Sequence, residues 1–157
     1  MSESSLVYVE GDLFTAPDHS ILVHACNTLG SWASGIALTF RQNYPAQFAQ
    51  YKAHCEAHGE ALIGTCLLIP GDKHDVACLF TSRAYGKDKD KPTDILAATR
   101  KAVKDLEAKN TDNKALHACR FNSGKFAVPW EDTEAILKDF GVHMTIYTPT
   151  DDASAST

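Results

Sequence analysis

The sequence predicts a three-layer α/β/α domain, with a central sheet of about six strands covered on both faces by helices. Three observations carry that prediction. Short runs rich in β-branched and aromatic residues alternate along the chain with segments of helical apolar spacing, the order that builds a sheet with helices packed on it. The 157 residues are long enough to bury one real core, and residues 1–149 are read as one domain. Two loops of small residues, at 27–35 and 122–129, each follow an apolar run and precede a helical one. Both therefore fall at carboxyl ends of strands, where ligands of open α/β sheets bind.

Taken in order, residues 6–10 form the first strand on their β-branched and aromatic content, and Gly11-Asp12 ends it. The Asp12 carboxylate can cap a turn, accept a hydrogen bond from a ligand amine or stand in solvent, and the turn role leads. Residues 17–19 are loop and 20–26 the second strand. Apolar spacing over 36–43 suits a short helix, which Pro45 breaks before opening another that runs to about His58, with Gly59 as its stop. Residues 62–69 and 76–81 are buried strands separated by the turn Pro70-Gly71-Asp72. Residues 83–91 are polar and of mixed charge, a solvated loop able to close over a site. Thr93, after Pro92, caps an amphipathic helix that reaches about Ala108 through Ile95, Leu96, Thr99, Val103 and Leu106. Residues 115–121 are a strand, 122–129 the second loop, 130–140 a helix ending at Gly141, and 143–147 the last strand. Residues 150–157 are Asp, Ala, Ser and Thr without an apolar anchor and are expected to be disordered.

The formal charge of −5 gives no overall attraction to nucleic acid, so a polyanionic ligand needs a local site. There is no charged-then-apolar leader and no apolar run of bilayer length, so the expectation is a soluble protein of the cytoplasm, or of the nucleus as well, without membrane contact. Five cysteines, spread out and without a C-x-x-C pair, indicate reduced, mostly buried thiols rather than disulfides or a cysteine zinc site. His54 and His58 share a helix face, but Cys55 stands where the zincin order requires glutamate, so the pair reads as helix surface and no metal is expected.

Candidate chemistry gathers at residues 24–37. The start of a helix offers unpaired N–H groups and the positive end of a dipole, and small residues let a phosphate approach the backbone; an ordinary strand-to-helix turn is the alternative. His24 is the one histidine there. Its imidazole, with an unperturbed pKa near roughly 6.5, can deprotonate water or protonate a leaving oxygen, or it is a hydrogen-bonded structural residue. Strict alternation puts His24 and Asn27 on opposite faces unless the strand end twists. No arginine-bearing loop follows Cys26, so a thiolate there lacks a stabilising cation and the residue reads as a packed thiol.

Gly11-Asp12 after the first strand, His-Ala-Cys-Asn leading into Gly-Ser-Trp-x-x-Gly-Ile-Ala, the loop Asn-Ser-Gly-x-Phe-x-Val-Pro-Trp and a final Ile-Tyr-Thr strand together resemble the macro domain, over about residues 7–149. Within that superfamily, segments 30–32, 79–82 and 122–130 are most similar to the fungal ADP-ribose 1″-phosphate phosphatases. The resemblance implies a mixed sheet, no cofactor, a monomer, and hydrolysis of ADP-ribose 1″-phosphate to ADP-ribose and phosphate with His24 and Asn27 as catalytic residues. It places Asp12, with Gly11 and Leu13, at the adenine, and Tyr147 near the adenosine. Ala25, Cys26 and Asn27 approach the distal ribose, and Gly35, Ile36 and Ala37 offer backbone donors to the diphosphate. Asn122, Ser123, Gly124, Lys125 and Phe126 wrap the other side, Lys125 either attracting the terminal phosphate or pointing to water. Trp32 either covers the ribose or packs on the sheet.

The sequence departs from that pattern in several places. His24 stands where many macro domains have asparagine, Trp32, Ala33 and Ser34 where many have glycines, and Ala127 at a frequent glycine position. Ser82 or Arg83, and Phe126, occupy the positions of the lysine and aspartate used by the branch that removes ADP-ribose from glutamate. Two rival readings stand beside the phosphatase: a hydrolase releasing ADP-ribose from modified protein or nucleic acid ends, and a reader that binds ADP-ribose without chemistry.

Overall fold

Six strands, β1 (Ser5–Glu10), β2 (Ile21–Asn27), β3 (Cys66–Ile69), β4 (Asp75–Ser82), β5 (Leu116–Ala118) and β6 (His143–Thr148), form one sheet in the order β1-β6-β5-β2-β4-β3. The computed structural model describes residues 5–149, so the expectation for the tail lies outside the described residues. Neighbouring strands run parallel except β3 and β4, which are antiparallel, giving the mixed sheet that the resemblance implied. Every residue of β2 and β4 is buried, as continuous apolar runs require of strands covered on both faces.

Helices α1 (Gly35–Asn43) and α2 (Pro45–His58) cover one face, and α3 (Pro92–Lys109) and α4 (Trp130–Asp139) the other. The register decides which side chains go where: His24 lies beside Cys78. His24 stacks on Phe40 of α1, and Phe80 on Tyr51 of α2. The alternate residues of β4 face the other way, and Thr81 reaches the α3 and α4 side. Among the described residues no helix is long and apolar enough to cross a membrane.

Two strands are shorter than their apolar runs. The segment expected as strand from residue 62 begins its ladder only at Cys66, because Gly59–Leu62 form a 3-10 turn and Gly64 sits at φ +82, a left-handed conformation that no strand uses. The run expected over 115–121 pairs only over Leu116–Ala118, since the Phe121 N–H turns back to the Cys119 carbonyl. At the end of β2 the ladder slips, pairing Cys26 with Phe80 but Asn27 with Ser82. That bulge turns the amide of Asn27 toward α2, where strict alternation would not put it.

Candidate active site

Chain direction creates the cleft. β2 and β5 are parallel neighbours, but the chain leaves β2 toward α1 and leaves β5 toward α4 on the opposite face. Loops that depart to opposite faces open a crevice between them. The cleft holds about 300 Å³ and is floored by Ala25, Cys26 and Asn27. One wall is Ser31 to Ser34 and Ala37, the other Lys125 and Phe126, and Tyr85 and Gly86 close a third side.

The first wall carries the helix start. Ser34 is the N-cap of α1 and makes no side-chain cap bond, so the first-turn N–H groups of Gly35, Ile36 and Ala37 have no partner within the helix. Together with the dipole, such open N–H groups are suited to an anion. Asn27 fixes the loop ahead of it. Its Oδ1 accepts from the N–H of Leu29 at 3.0 Å and of Ser31 at 3.4 Å, and its Nδ2 donates to the Ser31 carbonyl at 2.9 Å. Thr28 Oγ1 donates to the Arg83 carbonyl at 2.8 Å, tying this loop to the segment after β4. That segment is pinned in turn, since Asp90 accepts from both the N–H and the Nε of Arg83 at 3.1 Å.

The second wall is anchored from beneath. Asn122, at φ 72 and fully buried, accepts from Thr81 Oγ1 at 2.9 Å and donates to Thr99 Oγ1 at 2.9 Å and Thr133 Oγ1 at 3.2 Å. Its amide is saturated by three hydroxyls. The Asn122 side chain therefore holds the loop, and Asn122 is not among the residues that line the cleft. Lys125 is exposed and Phe126 buried on the cleft side of this loop, and Ala127 takes φ 59, the left-handed conformation that explains a glycine preference there.

Under the floor lies an aromatic cluster. His24 is fully buried, stacked on Phe40 at 3.9 Å and 11°, and does not line the cleft. Cys26 Sγ lies 3.5 Å from its Nε2 and 3.8 Å from its Nδ1. A sulfur so nearly equidistant from both nitrogens is not in line with the lone pair of either. Cys78 brings a third metal-capable atom, all three within 4.8 Å of one another, but this imidazole is not aimed as a ligand. Burial pushes the Cys26 thiol up, yet a hydrogen bond from Cys78 and the adjacent imidazole outweigh it and hold the thiol below its usual range. Trp32 is only 1% exposed and stacks on Tyr51 at 4.8 Å and 18°. Trp32 therefore packs against α2, and its side is also part of the cleft wall.

The chain matches the family model for the Macro domain over residues 23–137. It belongs to the macro domain family. A Chaetomium globosum protein named ADP-ribose 1″-phosphate phosphatase is 44% identical over 147 residues, covering 82% of this chain and 80% of the relative. An Aspergillus fumigatus protein of the same name is 37% identical over 190 residues, covering 93% and 95%. Among solved structures, the macrodomain of Mycobacterium tuberculosis DarG superposes with a TM-score of 0.71 at 27% identity, covering 92% of this chain and 97% of that one.

In this macro domain the residues expected at the adenosine are not among those that line the cleft. Asp12 caps a 3-10 turn by accepting from the Phe14 N–H at 2.9 Å, the turn role that its sequence context favoured. Gly11 pairs its N–H with the Thr148 carbonyl, the Leu13 side chain is buried in the core, and Tyr147 shares a 2.9 Å hydrogen bond with His117. Gly35, Ile36, Ser123 and Gly124 lie in the two loops without lining the cleft itself. Tyr85 and Gly86 belong to the loop that the sequence marked as able to close over a site, although neither residue was singled out, because a lone aromatic in a charged loop looks like solvated surface. Tyr51 was also missed, because an aromatic on a helix looks like core.

Proposed function

We propose that this chain binds ADP-ribose and hydrolyses ADP-ribose 1″-phosphate to ADP-ribose and phosphate. One observation carries the reading: Ser34 and Ala37, which flank the unpaired start of α1, and Lys125 of the facing loop line the same cleft, two sources of anion donors for a diphosphate and a terminal phosphate. The names of the relatives supply the compound. Water adds to phosphorus, the bond from phosphorus to the anomeric oxygen breaks, and that oxygen leaves with ADP-ribose and takes a proton. Such a transfer passes through a loose transition state that asks mostly for positioning and charge stabilisation. Asn27 orients the ribose, and the helix start and Lys125 hold the phosphates. His24, sealed beneath Cys26, supports the floor from which Asn27 works and reaches the cleft only through that residue.

Among the described residues, the cleft is lined by no carboxylate and no histidine. That favours a reader as the second reading and counts against release of ADP-ribose from glutamate on macromolecules. The test is phosphate release from ADP-ribose 1″-phosphate in chelator, with calorimetric binding of ADP-ribose on the same preparation. Turnover that falls in His24→Ala while binding is retained supports the phosphatase with His24 in it, and unchanged turnover removes His24 from the mechanism. Binding without turnover makes the chain a reader, and loss of both refutes the ligand.

A further inference from the structure

Tyr51 is fully buried in the middle of α2, far in sequence from either loop. Its hydroxyl donates to the Asn27 carbonyl at 2.7 Å and stands 3.1 Å from Asn27 Oδ1. Its ring is clamped between Trp32 at 4.8 Å and Phe80 at 6.0 Å, near-parallel to both. The hydroxyl therefore has one place to be.

We infer that Tyr51 is a positioning residue for the proposed reaction, holding Asn27 as a pure hydrogen-bond donor to the substrate. The argument begins with the amide. Two backbone N–H groups and the Tyr51 hydroxyl surround Asn27 Oδ1, so the oxygen faces the protein and the nitrogen faces Ser31 and the cleft. One Nδ2 hydrogen goes to the Ser31 carbonyl and the second is left for a ligand. The group opposite Asn27 must then be an acceptor, a ribose hydroxyl oxygen or a phosphate oxygen. Tyr51 also anchors the Asn27 main chain just where the ladder with β4 slips. Without that anchor the bulge is free to rotate and the amide loses its fixed direction. Burial first, and then the neighbouring cysteine thiols, push the Tyr51 hydroxyl well above its usual range, so it remains a donor at every working pH.

The inference rests on the phosphatase reading for its kinetic consequence but not for its structural one, and the experiment separates them. Tyr51→Phe keeps the ring and both stacking contacts and removes only the hydroxyl. The expected result is a fivefold to tenfold loss in kcat at nearly constant KM, about what one lost hydrogen bond gives. In the cycle with Asn27→Ala, the double variant is expected within about twofold of Asn27→Ala alone, because the hydroxyl has no one left to position. Independently of any ligand, the Asn27 side-chain amide protons in an NMR spectrum of the uniformly nitrogen-15-labelled protein are expected at shifts displaced from those of a free asparagine in the native chain and moved back toward the free values in Tyr51→Phe. A purely packing role for Tyr51 leaves all three readouts unchanged, and that result, or additive losses in the double variant, overturns the inference. If the native chain shows no turnover, the phosphatase reading fails, and the amide signals still decide for or against Tyr51.

Discussion

Replacing Asn122 by alanine should cost this domain about 4 kcal/mol, and the structure says where each part comes from. Three hydrogen bonds disappear, from Thr81 and to Thr99 and Thr133, each with a net worth of about 1 kcal/mol. Thr99 keeps its own bond to the Ile95 carbonyl at 2.7 Å, but the buried Thr81 hydroxyl loses its acceptor. Alanine must also adopt φ 72, which asparagine tolerates and alanine pays for by roughly 1 kcal/mol. Urea unfolding measures the sum: with a slope of about 2 kcal/mol per molar, the midpoint should fall by about 2 M. Asn122→Gly removes the same bonds without the backbone cost, so its loss should be about 1 kcal/mol smaller. A loss below about 1.5 kcal/mol for alanine, or an equal loss for alanine and glycine, would refute the account of Asn122 as an anchor.

Two further perturbations test the same physics elsewhere. Ala127 already stands at φ 59 without a side-chain reason for it, so Ala127→Gly should stabilise the domain by about 0.5–1 kcal/mol in the same assay, and a destabilised variant would contradict the assigned strain. Burial pushes the Asp105 carboxyl up, but the Cys66 N–H at 2.8 Å and Lys109 at 2.9 Å outweigh it and hold the group below its ordinary value. Its folded pKa is thus lower than its unfolded one, near 3.9, so its contribution is complete above that value and is lost as pH falls through the folded one. Asp105→Asn should lower stability at neutral pH and flatten the loss below about pH 4, and an acid limb as steep as the native one would remove Asp105 from it.

The layers and the order of elements were legible in the sequence because burial on both faces writes itself as continuous apolar runs in β2 and β4, and one-sided burial as the stripe of α3. What was not legible depended on direction. Alternation along β2 separates His24 from Ala25 but does not say which of the two looks into a cleft, and the bulge at Asn27 changes the answer in its last residue. Trp32 sits among small residues, and those residues do not reveal that α2 brings Tyr51 and Phe48 up to bury it. Asn122 is polar and in a loop, the usual description of a ligand contact. Its partners Thr81, Thr99 and Thr133 come from three separate elements, and no local pattern connects them.

The cleft also answers a difficulty posed by the charge. A chain with a formal −5 is a poor general attractor for a diphosphate, and of the described side chains lining the cleft only Lys125 carries a positive charge. The remaining attraction has to come from the main chain, from N–H groups left open at the start of α1, and such donors work only if the loop before them is rigid. Rigidity is what the surrounding contacts supply: Asn27 ties its own loop to itself, Thr28 ties that loop to Arg83, and Asn122 ties the facing loop to three hydroxyls. The buried ring cluster of His24, Trp32, Phe40 and Tyr51 completes the support from below. A cation introduced at the mouth would add attraction without adding direction, whereas loosening any one of these ties would let the donors diverge. In this domain, binding of a phosphate is therefore coupled more closely to the packing beneath the loops than to charge at their surface.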